Sequence, residues 1–226
     1  MKVKIGVLGG IGPESTKDFY GRLITLIQER GVNSNADFPQ IIINSIPAPE
    51  LIGNEISEEE LKMYIDGIKE LDNFGVDFIV MVCNTIHLFH KRLQKEINTE
   101  ILDLRYELKK RLIEKNLSII TVLGSPSTIK KLYKFEGIKS ISIEEEETKQ
   151  LSKAIFNFNR GFEKDKQIEK VKDISEEYLR KGSQIIVLGC TEFSLMLKDV
   201  DIPKVDTIEL LAEITADRIN KHKETN

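Results

Sequence analysis

Residues 75–87 read G-V-D-F-I-V-M-V-C-N-T-I-H, a buried strand over Phe78 to Val82 that delivers Cys83 to the start of a helix. An amphipathic helix precedes it, with Leu61, Ile65, Ile68 and Leu71 at helical spacing behind a capping box of Ser57 and Glu60. Gly75 closes that helix. The same device recurs at residues 182–192, G-S-Q-I-I-V-L-G-C-T-E, and delivers the only other cysteine, Cys190. A second echo, Val7-Leu8-Gly9 against Val122-Leu123-Gly124, stands at a similar offset.

Working outward, strands and helices alternate along the whole chain. Strands are predicted over residues 3–9, 40–46, 101–104, 117–124, 138–143, 185–188 and 203–205. Helices are predicted from Pro13 to Gly31, from about Thr85 to Ile97, over 105–115, after Ser125, across 145–181 with a break near Gly161, and over 207–221. This alternation predicts an α/β fold with mainly parallel sheets, and the paired echoes predict two similar halves. The first domain takes residues 1–104 with 206–226 and carries Cys83; the second takes 105–205 and carries Cys190. In such sheets ligands bind beyond the carboxyl ends of the strands, where both cysteines stand.

The bulk numbers exclude several classes. The chain has 226 residues, 33 basic against 37 acidic, and a net charge of −4, with no electrostatic footprint for nucleic acid. Its longest uncharged apolar run, Phe78 to Leu88, is too short to span a bilayer. The opening residues, with only a short apolar run before Gly9-Gly10, predict no export signal, and the two cysteines are then expected to stay reduced in the cytoplasm.

One cysteine after a strand is ordinarily a core residue. Two in matching strand-end contexts, beside Asn84-Thr85 and Thr191, point to chemistry. A thiol near a helix N-terminus ionises more readily, and neighbouring N–H and hydroxyl donors suit a carboxylate or an oxyanion. Such a pair could remove a proton from one face of a carbon and return one to the other. His87 is placed either to hydrogen-bond near Cys83 or to pack, while His90 and His222 belong to no constellation. Gly9-Gly10-Ile11-Gly12-Pro13 lacks the third glycine of a dinucleotide fingerprint and reads as a loop that lets backbone approach a small ligand.

With Gly9-Gly10-Ile11-Gly12-Pro13, Cys83-Asn84-Thr85-Ile86-His87 and Gly189-Cys190-Thr191-Glu192 in this order, the chain resembles the aspartate/glutamate racemase superfamily, in its cofactor-independent aspartate racemase branch. The resemblance covers essentially the whole length. It implies two pseudo-symmetric domains, each a mainly parallel four-stranded sheet flanked by helices, with the active site in the cleft between them. It implies an amino-acid racemase in which Cys83 and Cys190 are the two catalytic bases. It assigns substrate binding to Asn84, Thr85, Ser125, Thr128, Arg160 and Thr191. No pyridoxal phosphate, nucleotide or metal is implied; the partners are a small amino acid or dicarboxylate substrate and a second copy of the chain.

One departure bears on the substrate. The branch carries a proline-aspartate-arginine motif after the second strand, whereas this chain reads Ile46-Pro47-Ala48-Pro49-Glu50-Leu51. The lost arginine leaves aspartate, glutamate or another amino acid as the substrate, and Glu50 is expected to face solvent. A paired-cysteine isomerase or decarboxylase of a small dicarboxylic acid on the same fold is the alternative chemistry. A non-catalytic small-ligand binding protein is the alternative outside enzymes.

Overall fold

The computed structural model of the chain describes residues 2–48, 51 and 56–224. In order, the elements are β1 (Lys4–Gly9), α1 (Pro13–Glu29), β2 (Gln40–Ser45), α2 (Glu58–Asn73), β3 (Phe78–Met81), α3 (His90–Gln94), β4 (Glu100–Ile101) and α4 (Leu104–Glu114). Then follow β5 (Ile119–Leu123), β6 (Lys139–Ser140), α5 (Glu145–Asn159), α6 (Lys164–Arg180), β7 (Ile185–Leu188), α7 (Thr191–Met196), β8 (Lys204–Asp206) and α8 (Thr207–Glu224). Two four-stranded sheets result, ordered β2-β1-β3-β4 and β6-β5-β7-β8. Every described pairing is parallel. The fold is therefore α/β with helix-flanked parallel sheets, as the alternating pattern requires.

The two sheets are copies in order and in register. Val7 and Leu8 of β1 pair with Val80 and Met81 of β3. Val122 and Leu123 of β5 pair with Val187 and Leu188 of β7. The sequence echo is thus a structural one, and each cysteine follows the same strand of its sheet at the same distance from its end.

The chain divides into two units. One comprises Met1–Glu50, Glu55–Leu104 and Ile208–Asn226; the other is built on Arg105–Thr207. The break falls after Thr207 rather than after residue 205, because β8 pairs with β7 through Asp206 and the Thr207 hydroxyl donates to the Leu188 carbonyl at 2.6 Å. In the first unit Ile5, Leu8, Phe19, Leu23, Ile68, Leu71 and Phe78 are wholly buried. α8 belongs to this unit, tied by Arg22 to Glu209 at 2.7 Å, Arg30 to Asp217 at 2.5 Å, and the Arg218–Glu100 pair. In the second unit Leu151, Val171, Tyr178, Ile186, Leu188 and Phe193 form the centre of the core. Each such side chain contributes roughly 1.5–3 kcal/mol on leaving water.

Several predicted elements are shorter in the fold. The segment from Thr85 is a 3₁₀ turn over Thr85–Phe89 followed by the five-residue α3, not one helix. The segment after Ser125 is a single π-helical turn, Thr128–Leu132. β4 and β6, each at an edge of its sheet, shrink to two residues each.

Candidate active site

Glycines set the backbone at the strand ends. Gly10 adopts φ +84°, and a Cβ there would lie 2.3 Å from the Ile46 carbonyl oxygen. The close approach this loop permits is to the protein's own chain beyond β2. Thr16 then fixes the loop by accepting the Gly10 N–H at 3.0 Å and donating to the Gly12 carbonyl at 3.2 Å. Pro13 opens α1, where its missing N–H is no loss. In the second unit Gly124 packs against Thr128, and the Ser125 hydroxyl donates to the Thr128 hydroxyl at 3.1 Å. Ser125 and Thr128 are both buried.

In the first unit the Val82 N–H donates to the Leu8 carbonyl at 2.9 Å and the strand ends. Cys83 is half-buried and in no disulfide, with Asn84 and Thr85 buried directly after it. His87 is wholly buried; its Nε2–H donates back to the Met81 carbonyl at 3.3 Å. His90 donates through Nε2 to the Ile101 carbonyl at 2.8 Å. The Nδ1 atoms of the two rings stand 4.0 Å and 3.9 Å from the two carboxylate oxygens of Asp103. The histidines therefore pin the turn after Cys83 to β3 and β4, which is the packing role. Tyr64 of α2 is also wholly buried. Burial first, then the negative charge of Cys83 and of Glu60, holds its phenol protonated well above its ordinary range.

In the second unit Gly189 sits so close to the Leu123 carbonyl that a Cβ would approach its oxygen to 2.9 Å. Cys190 follows in extended backbone, half-buried and in no disulfide, as the residue at the N-cap position of α7. Its Sγ stands 2.8 Å from Glu192 Oε2. Thr191, buried, donates its hydroxyl to the same oxygen at 3.2 Å. Asn159, the last residue of α5, donates from Nδ2 to Glu192 Oε1 at 3.5 Å.

Most of the expected binding residues thus lie within two groups: Cys83, Asn84 and Thr85 after β3; Cys190 and Thr191 after β7, with Ser125 and Thr128 after the neighbouring β5. Arg160 does not join the second group. It is exposed at the end of α5, with its guanidinium 3.8 Å over the Phe156 ring. Of the stretch that lacks an arginine, Pro49 and Glu50 lie outside the described residues. Two contributors were missed in the sequence. Thr16 was signalled by the Val-Leu-Gly echo, which aligns its loop with that of Thr128. Glu192 was signalled only by standing two residues after Cys190. The helical segments after both cysteines are also too short for a strong macrodipole. Among the described residues no cluster of three or more His, Cys, Asp or Glu could hold a metal ion, and no helix is long and apolar enough to cross a membrane.

This arrangement has relatives. The family model described as Asp/Glu/Hydantoin racemase matches residues 8–215. The chain belongs to the Asp/Glu/hydantoin racemase family. Membership makes it an isomerase of the amino-acid racemase class. It is 27% identical over 218 residues to the broad specificity amino-acid racemase RacX of Bacillus subtilis, covering 93% of this chain and 96% of that one. Among solved structures it resembles PH1733, an aspartate racemase homologue from Pyrococcus horikoshii, at 26% identity and a TM-score of 0.78, covering 97% and 100% of the two chains. The fold alone is shared with glutamate racemase from Francisella tularensis, at 19% identity and a TM-score of 0.71, covering 98% and 82%.

Proposed function

We propose that the chain racemises an amino acid by two-base proton transfer, with Cys83 and Cys190 serving opposite faces of the α-carbon. The observation that carries this reading is the matched placement of the two thiols, each following the same strand of a sheet with the same order. One cysteine, as thiolate, takes the α-proton; the other, as thiol, gives its proton to the planar carbanion from the far side. The product leaves with the two protonation states exchanged, and proton exchange with solvent restores them before the next turnover in the same direction. Asn84, Thr85, Ser125, Thr128 and Thr191 supply amide and hydroxyl groups for the substrate carboxylate. Arg160 is left out of the proposal, because an exposed cation stacked on Phe156 offers no buried clamp.

Aspartate or glutamate is the proposed substrate. The stretch Ile46-Pro47-Ala48 carries no cation for a side-chain carboxylate, which favours neutral amino acids as a second reading. Similarity to a racemase named for broad specificity supports testing both. The enzyme is proposed to work without an added cofactor, as a homodimer, in the cytoplasm.

The test is α-proton exchange into deuterated solvent by the purified protein, followed by NMR across acidic and neutral amino acids. Exchange into at least one amino acid, accompanied by the opposite enantiomer, is the expected result. No exchange across the panel would sink the proposal. A mass increase on incubation with a maleate-like acid would instead favour covalent chemistry at one thiol.

A further inference from the structure

We infer that Glu192 is the positioning residue that keeps Cys190 protonated in the resting enzyme, so that Cys190 starts as the acid and Cys83 as the base. The inference rests on the reading of the two cysteines as proton carriers. At 2.8 Å from Glu192 Oε2, the Cys190 sulfur cannot be a thiolate beside a carboxylate, because two negative charges at that distance repel strongly. One proton lies between them. A carboxyl group is ordinarily about four pH units more acidic than a thiol, so the proton rests on sulfur.

The other contacts of Glu192 point the same way. Thr191 donates its hydroxyl to Oε2 at 3.2 Å, and Asn159 donates from α5 to Oε1 at 3.5 Å. These donors hold the carboxylate in place against the sulfur, and an anion beside a thiol favours the thiol. Four charged groups on or beside the elements packed around α7 have partners of their own. Asp206 of β8 accepts from Ser194 at 2.7 Å, Glu147 of α5 accepts from the Tyr178 hydroxyl, Arg160 stacks on Phe156, and Lys181 pairs with Glu177 at 2.7 Å at the end of α6. In the first unit the residue two positions after the cysteine is Thr85, which carries no charge. The duplicated scaffold therefore sets a carboxylate two residues after one thiol and a hydroxyl two residues after the other, and the thiol beside the carboxylate is the proton donor of the resting pair.

The experiment alkylates the full chain with iodoacetamide across pH and reads each cysteine by peptide mass spectrometry. In the native sequence the Cys190 midpoint is expected above that of Cys83; the reverse order overturns the inference. Glu192→Gln is expected to lower the Cys190 midpoint by about one pH unit and leave Cys83 in place. Glu192→Asp, which keeps the charge, is expected to retain a raised midpoint. An unmoved Cys190 midpoint in Glu192→Gln, or an equal fall in Glu192→Asp, overturns it. The alkaline limb of kcat/KM should move down with the Cys190 midpoint in Glu192→Gln. Because alkylation does not need turnover, a shifted midpoint in a chain that exchanges no α-proton upholds the Glu192 pairing while removing the racemase mechanism.

Discussion

The two sheets share strand order and register, yet the turns that follow β3 and β7 are chemically different. After Cys83 come a buried amide, a buried hydroxyl and a histidine bonded back to its own strand. After Cys190 come a hydroxyl and a carboxylate aimed at the sulfur. The duplication fixes where a thiol stands; the two or three residues after it fix what the thiol does. The long helices differ in the same sense. Both α2 and α5 are capped locally, by Ser57 with Glu60 and by Glu144 with Glu147, but the start of α5 has a further partner in Tyr178 from α6, whose hydroxyl accepts the Glu144 N–H at 2.8 Å.

The strongest way to break the comparison is to remove one thiol at a time. Cys83→Ser and Cys190→Ser are each expected to lower the racemisation rate by about 10²–10⁴-fold, since a hydroxyl is a far poorer proton carrier than a thiol. Rates of α-proton exchange decide this, and a cysteine whose replacement is tolerated would make the pair unequal in kind, not only in resting state.

Next in size are glycines in the loops that follow β1 and β5, Gly10 and Gly124. Gly10→Ala is expected to cost about 3 kcal/mol, combining a left-handed backbone with a collision against the fixed Ile46 carbonyl. Gly124→Ala meets the side chain of Thr128 instead, at 2.8 Å, and should cost about 1–2 kcal/mol. Urea unfolding of both variants would show whether the two loops are equally unforgiving.

His87→Phe sharpens the contrast with Glu192. It leaves the Met81 carbonyl without its donor, so about 1–3 kcal/mol of stability should be lost while the alkaline limb of the rate profile stays where it is. A moved limb would give His87 a part in the proton chemistry.

The smallest effects belong to the helix starts. Ser57→Ala should cost about 1 kcal/mol. Tyr178→Phe should cost a similar amount near neutral pH, through its lost bonds to Glu144 and Glu147. The two differ in alkali. The Tyr178 phenol is held above its ordinary value of 10.0 by burial first and by its bond to Glu147 next. Its folded state keeps a proton that the unfolded chain releases, so its contribution is present below pH 10.0 and lost as pH rises past that value. Thermal unfolding from neutral pH into that range should decline less steeply in Tyr178→Phe.

Much of the scaffold was legible because it is written locally. Alternating apolar runs located the cysteine-bearing strands, the Ser57–Glu60 spacing located a cap, and Gly161 located the break between α5 and α6. β4 and β6 are shorter than their apolar runs, because each pairs with its neighbour over two residues only, a limit that local sequence does not carry. The turn after Cys83 was read as one helix, because the pull of His87 and His90 onto carbonyls of β3 and the β4 end comes from elsewhere in the unit. Arg160 was read as a carboxylate clamp by resemblance, although Phe156, one helical turn earlier, was the local clue to its resting place. The Glu192 contact was hidden because Asn159 reaches it only through the packing of α5 beside α7.

The return of α8 to the first unit has a consequence for synthesis. The β2-β1-β3-β4 sheet is made first, but Glu209, Asp217 and His222, which pair with Arg22, Arg30 and Phe78, are translated after the whole of the second unit. On the ribosome the Cys190 unit can therefore close while the Cys83 unit still waits for its last helix. The half whose strands come first is the half finished last, and it is the one that stalled translation leaves open.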